Sequence, residues 1–130
     1  MALTRIFITT TGAGTWTVPA DWNSADNSIE CLGGGGSGGA VRNNNYAYAT
    51  GGGGGAYAKE VNLPLTPGAV IPLSVGAGGA SVSSSGTGVD GNPGGDTWFG
   101  AATFGSSLVG AKGGLGGKQR TTIGTQSGVA

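Results

Sequence analysis

The chain has 130 residues, enough for one domain, and its six Lys and Arg residues balance six Asp and Glu residues. Because these charges are scattered, they form no basic stripe that could neutralise phosphates, and no segment approaches the roughly 20 apolar residues that cross a bilayer. Nucleic acid and membrane insertion are therefore not expected.

The N-terminus, MALTRIFITTTG, has Arg5 inside its apolar stretch. It lacks the continuous apolar run and the small-residue cleavage site of a secretory signal, so we do not interpret it as one. Residues 3–10 instead alternate, with Ile6 and Ile8 on one face and Arg5 and Phe7 on the other. With a turn at residues 11–14 and a second strand at residues 15–19 (TWTVP), this pattern predicts a β-hairpin.

Further strands are predicted along the chain, separated by polar loops and by glycine. After the loop at residues 21–27, Ser28–Leu32 predicts a third strand with Ile29 and Cys31 on one face. Cys31 is the only cysteine, which suits a reducing cytoplasm, and we expect it to be a small buried hydrophobic residue. The later predicted strands are residues 56–63, Val70–Val75, Thr97–Phe99, 103–104 and 108–109.

Two features of these later strands bear on the fold. Pro72 cannot donate a backbone hydrogen bond, so it predicts that Val70–Val75 is an edge strand or contains a bulge. No window has apolar residues at helical spacing. The sequence therefore predicts an all-β class, with main strands in residues 1–75 and a glycine- and serine-rich part in residues 76–130 whose short strands lie near residues 97–112.

Glycine, with 31 residues, comes in runs beside the predicted strands. Glycine loses more backbone freedom on folding than any other residue, so such runs need a packing reason. Consecutive glycines can form an extended threefold helix of the polyglycine II type, and such helices can pack side by side. The alternative is that the runs are loops. The glycines assigned to this structural role are Gly33, Gly34, Gly35, Gly36, Gly51, Gly52, Gly53, Gly54, Gly55, Gly113, Gly114, Gly116 and Gly117.

Catalytic motifs are scarce. The spacing of Gly33, Gly35 and Gly38 matches a dinucleotide fingerprint, but no amphipathic helix follows to meet a pyrophosphate. The chain has no histidine, so the usual nucleophile and base pairs are absent. Asp90 and Asp96 form the nearest acidic pair within one loop and faintly resemble a calcium loop, but turn formation explains them as well. We therefore expect no enzyme activity, cofactor or metal.

One polar stretch between two glycine runs has the chemistry of a binding loop. It contains Arg42, Asn43, Asn44, Asn45, Tyr46 and Tyr48. Aromatic rings can stack on the apolar faces of sugars, and amides and guanidinium groups can hydrogen-bond their hydroxyls. The residues thus predict a receptor-binding site for glycan. The alternative is an asparagine-rich turn with its tyrosines packed on the sheet.

Short sequence tags in a fixed order carry a family resemblance. They are TWTVP at residues 15–19, IECL at 29–32, polyglycine, AYAK at 56–59, LTPG at 65–68, LSVGAGG at 73–79, GDTWF at 95–99 and VGAKGG at 109–114. In this order they resemble the glycine-rich domain of bacteriophage and prophage tail-fibre proteins. The resemblance covers nearly the whole chain and implies a virion component, often a fibre tip or adhesin, with glycine-rich sequence that can continue beyond Ala130.

Together, the residues and the resemblance predict one glycine-rich domain over residues 1–130. We expect an all-β, small antiparallel sandwich-like fold with packed polyglycine II-like segments and long loops. The expected function is a bacteriophage tail-fibre or receptor-binding component, assembled in the host cytoplasm, that adheres to a bacterial surface glycan or outer-membrane receptor. The expected partners are other virion proteins and further copies of the chain, as in a trimer. A capsid or tail decoration protein without a receptor is the alternative, and a glycan-cleaving enzyme would need paired carboxylates.

Overall fold

The computed structural model describes residues 3–42, 47–85 and 88–120. Within these ranges the chain is all-β, and its one helical element is a 3-10 turn at Phe104–Ser106. The strands, in chain order, are β1 (Gly12–Thr17), β2 (Ser28–Leu32), β3 (Tyr48–Ala49), β4 (Tyr57–Val61), β5 (Val70–Val75), β6 (Thr97–Phe99), β7 (Val109–Ala111) and β8 (Gln119–Arg120).

Two antiparallel sheets form a sandwich-like base. The large sheet has the strand order β1-β5-β6-β7, and the small sheet pairs β2 with β4. The small sheet packs against β6 and β7. The buried core between the sheets consists of Cys31, Leu73, Phe99, Val109 and Ala111. Cys31 is 4% exposed, which confirms it as a small buried residue on a strand.

Aromatic and polar contacts close the base beside this core. The ring of Trp16 meets the edge of Trp22 at 5.6 Å and lies 5.8 Å from Phe99. The Trp22 indole nitrogen donates a hydrogen bond to the carbonyl of Leu63. Asn27 receives a bond from the amide of Leu63 and donates one to its carbonyl. The loop after β1 is thereby fastened to the chain that follows β4.

The predicted N-terminal hairpin is wrong. Residues 3–10 form no strand, and residues 12–14 of the predicted turn belong to β1, which pairs with β5 from Gly12↔Val75 to Thr17↔Val70. The alternating side chains of residues 3–10 indicate which of them would share one face of a strand. The alternation does not specify which other strand this stretch would pair with. Gly12, with φ +99°, directs the chain out of the large sheet at its first residue.

The prediction that Pro72 marks an edge or a bulge is also wrong, because β5 lies between β1 and β6. Pro72 is tolerated there for a local reason. Its carbonyl accepts a hydrogen bond from the amide of Gly100. Because the N–H and C=O of one strand residue point to the same side, the N–H that proline lacks would also point towards β6. It would lie just beyond Phe99, the last residue of β6. At Gly100 the chain turns away with φ +100°, so the N–H that Pro72 lacks falls at the very end of the β5–β6 ladder rather than in its middle.

A predicted strand at residues 103–104 is replaced by the 3-10 turn. Phe104 packs edge-on against Trp98, with ring centroids 6.2 Å apart, and the Lys112 ammonium lies 4.1 Å from the Phe104 ring centre. These contacts favour a compact connection between β6 and β7 over an extended one. The next strand begins at Val109 and ends at Ala111, later than predicted.

The glycine runs extend beyond the base as five segments, which we call the glycine slab. Segments one to five are residues 33–40, 50–56, 76–80, 89–96 and 112–118. Their backbone hydrogen bonds repeat every third residue. The amides of Gly33, Gly36 and Gly39 donate to the carbonyls of Ala56, Gly53 and Thr50, and those of Gly34, Ser37 and Ala40 donate to Gly95, Asn92 and Val89. This period is the repeat of the polyglycine II helix.

The hydrogen bonds arrange the five segments in two layers. Segment one bonds to all four others and lies between segments two and three. Segments four and five bond to each other and to segment one, so they form the second layer. Segment five runs parallel to segment one, because Gly114 and Gly117 donate to Gly34 and Ser37. The segments are therefore packed helices rather than loops.

Close packing requires glycine at the faces that point into the slab. A Cβ atom at Gly52 would collide with the carbonyl of Gly36, and one at Gly55 with the carbonyl of Gly33. At Gly54 an added Cβ would meet nothing within 4 Å. The requirement for glycine therefore depends on which face of the threefold helix a residue occupies. Glycine is required on a face that contacts a neighbouring segment and is not required on a face that contacts solvent.

Amide exchange should show the same period. Within the described chain, the amides of Gly33, Gly34 and Gly36 donate to other segments, whereas those of Gly35 and Gly38 have no acceptor. We expect hydrogen exchange measured by NMR to be slow at the first three and fast at the last two. Uniformly fast exchange across residues 33–39 would contradict the packed slab.

Two alanine substitutions test the steric requirement. We expect Gly52→Ala to lower the free energy of unfolding by about 1–3 kcal/mol, because the added methyl group overpacks the slab. Gly54→Ala is the matched control and should leave stability unchanged or raise it by about 0.4–1 kcal/mol. Urea denaturation of both variants measures the difference, and equal losses would contradict it.

Candidate functional site

Three stretches of the chain leave the base and extend through the slab towards one end of the molecule. We call these stretches excursions. Residues 33–56 leave from β2 and return to β4, residues 76–96 leave from β5 and return to β6, and the third leaves from β7 at residue 112. Since a threefold helix rises about 3.1 Å per residue, the eight residues of segment one carry the far end about 25 Å from the base. We call this far end the tip.

Contacts between the three excursions assemble the tip. The Arg42 guanidinium donates a hydrogen bond of 3.0 Å to the carbonyl of Ser85. Ala40 and Val89 exchange backbone bonds of 2.8 Å. Strand β3 pairs with β8, which places Tyr48 opposite Arg120. The tip is thus built from residues distant in sequence.

The structure places the predicted site residues only in part. Arg42 is exposed at the tip, and Tyr48 is 55% exposed on β3. Asn43, Asn44, Asn45 and Tyr46 lie outside the described residues. The predicted glycine set lies in segments one, two and five, and most of its members have a face packed against a neighbouring backbone.

Sequence reasoning missed Arg120, which shares the tip with Tyr48 although 72 positions separate the two residues. The signal that could have found it is the X-Gly-Gly repeat of segment five, in which Lys112, Leu115 and Lys118 are exposed while Gly114 and Gly117 are buried. This repeat marks a further threefold helix that leaves the base beside the other segments, so the residues at its far end are expected near the ends of those segments.

Two matched ion pairs fasten segment four to segment five. The Asp96 carboxylate accepts a hydrogen bond of 2.8 Å from the Lys112 ammonium and another of 2.8 Å from the backbone amide of Gly113. Two helical turns nearer the tip, Asp90 accepts Lys118 at 2.8 Å and the amide of Gln119 at 3.0 Å. In each case the hydrogen bond from the lysine is the main cause that lowers the pKa of the carboxyl group, and the backbone amide adds to it.

This arrangement corrects the resemblance of Asp90 and Asp96 to a calcium loop. The two carboxylates stand six residues apart on an extended segment, about 19 Å at 3.1 Å per residue, and each is paired with a lysine. No group of three or more metal-binding side chains occurs in the described residues. Nor do the described ranges contain a helix with the length and apolar character needed to span a membrane.

Charge is separated along the molecule although the chain is neutral. The tip carries three cations, Arg42, Lys118 and Arg120, against one anion, Asp90. The base has the acids Asp21, Asp26, Glu30 and Glu60 against Arg5 and Lys59. The tip therefore has an excess of positive charge and the base an excess of negative charge.

The described architecture agrees with one comparison to known families. A family model described as a glycine-rich domain matches residues 9–130. The chain belongs to this family. The matched range of the glycine-rich domain includes the base, the slab and the strands of the tip. No curated protein and no solved structure matches the chain.

The ion pairs of this glycine-rich domain predict a pH dependence. Because the pKa values of Asp90 and Asp96 are lowered from 3.8, their stabilising contribution is present above that pH and is lost as the pH falls further. We expect the double variant Asp90→Asn, Asp96→Asn to be less stable than the unmodified protein near pH 7, and we expect this stability gap to be smaller near pH 2.

Urea denaturation at the two pH values measures this convergence. Asp21→Asn is the control, because Asp21 makes no ion pair within the described chain, and it should change stability little at either pH. A stability gap that is the same at both pH values would contradict the assigned role of the two carboxylates.

Proposed function

We propose that this glycine-rich domain is a structural component of a bacteriophage virion, most specifically a tail-fibre or receptor-binding component that adheres to the host surface. The observation that carries the proposal is the tip. Three excursions from one base converge there, and they place Arg42, Tyr48 and Arg120 at the end of a rigid slab. Recognition residues on loops held by a rigid scaffold are a common arrangement for binding.

The slab suits the role of a rigid spacer. Its segments are joined by backbone hydrogen bonds of 2.7–3.1 Å that cross from one segment to the next. An isolated glycine chain is highly flexible, but these lateral bonds remove that freedom. A rigid spacer supports adhesion because less conformational entropy is lost when the tip binds.

The chemistry of the tip favours a glycan. The half-exposed ring of Tyr48 can stack on a sugar face, and guanidinium groups can hydrogen-bond hydroxyl or acidic groups. The excess of positive charge at the tip favours a surface polysaccharide that carries phosphate or carboxylate groups. Several copies on one particle would make adhesion firm, because individually weak contacts strengthen one another when they engage together.

The remaining features of the proposal concern assembly. The protein would assemble in the host cytoplasm and join the virion through other virion proteins and further copies of itself. Its cysteine is buried in the core, which is consistent with a reducing compartment. Adhesion requires no cofactor or catalytic group.

Replacing the tyrosines of the predicted loop tests the tip. We expect the variant Tyr46→Ala, Tyr48→Ala to bind host cells more weakly by about 0.5–1.5 kcal/mol for each ring that stacks on a sugar. Tyr57→Ala is the matched control, because Tyr57 is also 55% exposed but lies on β4 in the base. Binding of the fluorescently labelled full chain to host cells measures the effect. Equal binding by both variants would overturn the tip as receptor site.

A decoration protein without a receptor is the second candidate. The exposed apolar residues of the base, among them Leu32 and Val61, favour it because they suit attachment to a particle. It predicts that the isolated protein attaches to virions but neither binds host cells nor competes with virions for adsorption. Labelling virions with antibody in electron micrographs would show whether the protein lies on the tail or on the capsid. Release of reducing ends from host polysaccharide would instead indicate a glycan-cleaving enzyme.

A further inference from the structure

A groove of about 210 Å³ opens in the base between the N-terminal residues and β2. Its floor includes Trp16 and Phe99 of the large sheet. One wall contains Ile6 and Ile8, and the other is formed by residues 28–31 of β2. The groove is therefore a slot with an apolar floor that lies between two stretches of the same chain.

The edge of β2 that borders the groove has unpaired backbone groups. The backbone hydrogen bonds that join β2 to β4 come from alternate residues, from Asn27 to Gly33. Because backbone groups alternate between the two edges of a strand, those of Ser28 and Glu30 point away from β4. Both residues line the groove. No described residue accepts a hydrogen bond from their amides.

The N-terminal segment, residues 3–10, has the alternation of a strand but no partner strand. Ile6 and Ile8 line the groove, whereas Phe7 between them is 79% exposed. This segment makes no backbone hydrogen bond to the rest of the described chain. It therefore lies beside β2 with its isoleucines towards the groove and its backbone groups unpaired.

The connection to β1 is long enough for the segment to reach the edge of β2. Residues 9–11, all threonine, separate Ile8 from Gly12, the first residue of β1. This connection spans at most about 13 Å, and packed sheets lie about 10 Å apart. Gly12 has φ +99°, and an added Cβ there would meet nothing within 4 Å. The chain therefore has room to turn at this residue.

We propose that residues 4–8 form a strap that closes on the free edge of β2 in the same chain. On closing, the strap forms main-chain hydrogen bonds to β2, and Ile6 and Ile8 fill the groove. Burial of apolar surface favours closure, and the segment already lies extended beside β2, so little conformational entropy remains to be lost. The closed strap covers a strand edge that could otherwise pair with another chain. Closure is a property of the base and does not depend on what the tip binds.

Amide exchange distinguishes a closed strap from an open one. We expect NMR of the full chain to show exchange at Ser28 and Glu30 slowed about tenfold or more, because closure gives both amides an acceptor. Ile6→Asp places a carboxylate in the apolar groove and should restore fast exchange at both. Phe7→Asp is the matched control on the same segment and should keep exchange slow, since Phe7 is exposed. Circular dichroism verifies that both variants are folded.

Cys31 gives an independent readout, because it lines the groove and is only 4% exposed. We expect its thiol to react with an aromatic disulfide reagent about tenfold or more faster in Ile6→Asp than in Phe7→Asp. In the variant Ile8→Cys, air oxidation should join the new thiol to Cys31 within one chain, which mass spectrometry detects as a monomer that has lost two hydrogens. Leu115→Cys, on the slab, is the control and should not form this bond.

Three results would overturn the strap. The first is fast exchange at Ser28 and Glu30 in the unmodified protein. The second is equal reactivity of Cys31 in the two aspartate variants. The third is a covalent dimer, rather than an intrachain disulfide, as the oxidation product of Ile8→Cys, because it would assign the edge of β2 to another copy.

Discussion

The fold depends on hydrogen bonds between backbones that approach one another because no side chain separates them. In the slab, the backbone amides and carbonyls of segment one form hydrogen bonds to all four neighbouring segments. The neighbour to which they bond recurs every three residues. A methyl group at most inward positions would collide with a carbonyl oxygen. Burying backbone polar groups is unfavourable unless they are paired. The lateral bonds meet that requirement, and glycine is what permits them.

The base and the slab have different roles: the base provides the apolar core, and the slab positions the residues of the tip. The base buries a small apolar core around Phe99 and Leu73 and fixes where each excursion starts and returns. The slab contributes little apolar burial, but it aligns the excursions so that their ends meet. The pairs of Asp90 with Lys118 and Asp96 with Lys112 hold one register of segments four and five, since a slip of one residue would separate both pairs.

The predictable part of the structure was the part governed by local pattern. The bounds of β2, β5 and β6 follow from short apolar runs, and the polyglycine II packing follows from consecutive glycine. The N-terminal hairpin failed because alternation in residues 3–10 does not choose a partner, and the assignment of β5 as an edge strand failed because Pro72 lies where β6 has already ended. For the candidate site, Arg42 and Tyr48 could be named, but Arg120 could not, because its position depends on a pairing across 72 residues.

The sequence by itself determined an all-β chain with glycine helices, because glycine content and strand alternation constrain the backbone residue by residue. The tertiary structure alone decided which segments lie side by side, which glycines must lack a side chain and which residues meet at the tip. Those properties arise from contacts between segments far apart in the chain, and a threefold helix of glycine has no side chains with which to encode its neighbours. The register is instead set by the base and by the few charged residues along the slab.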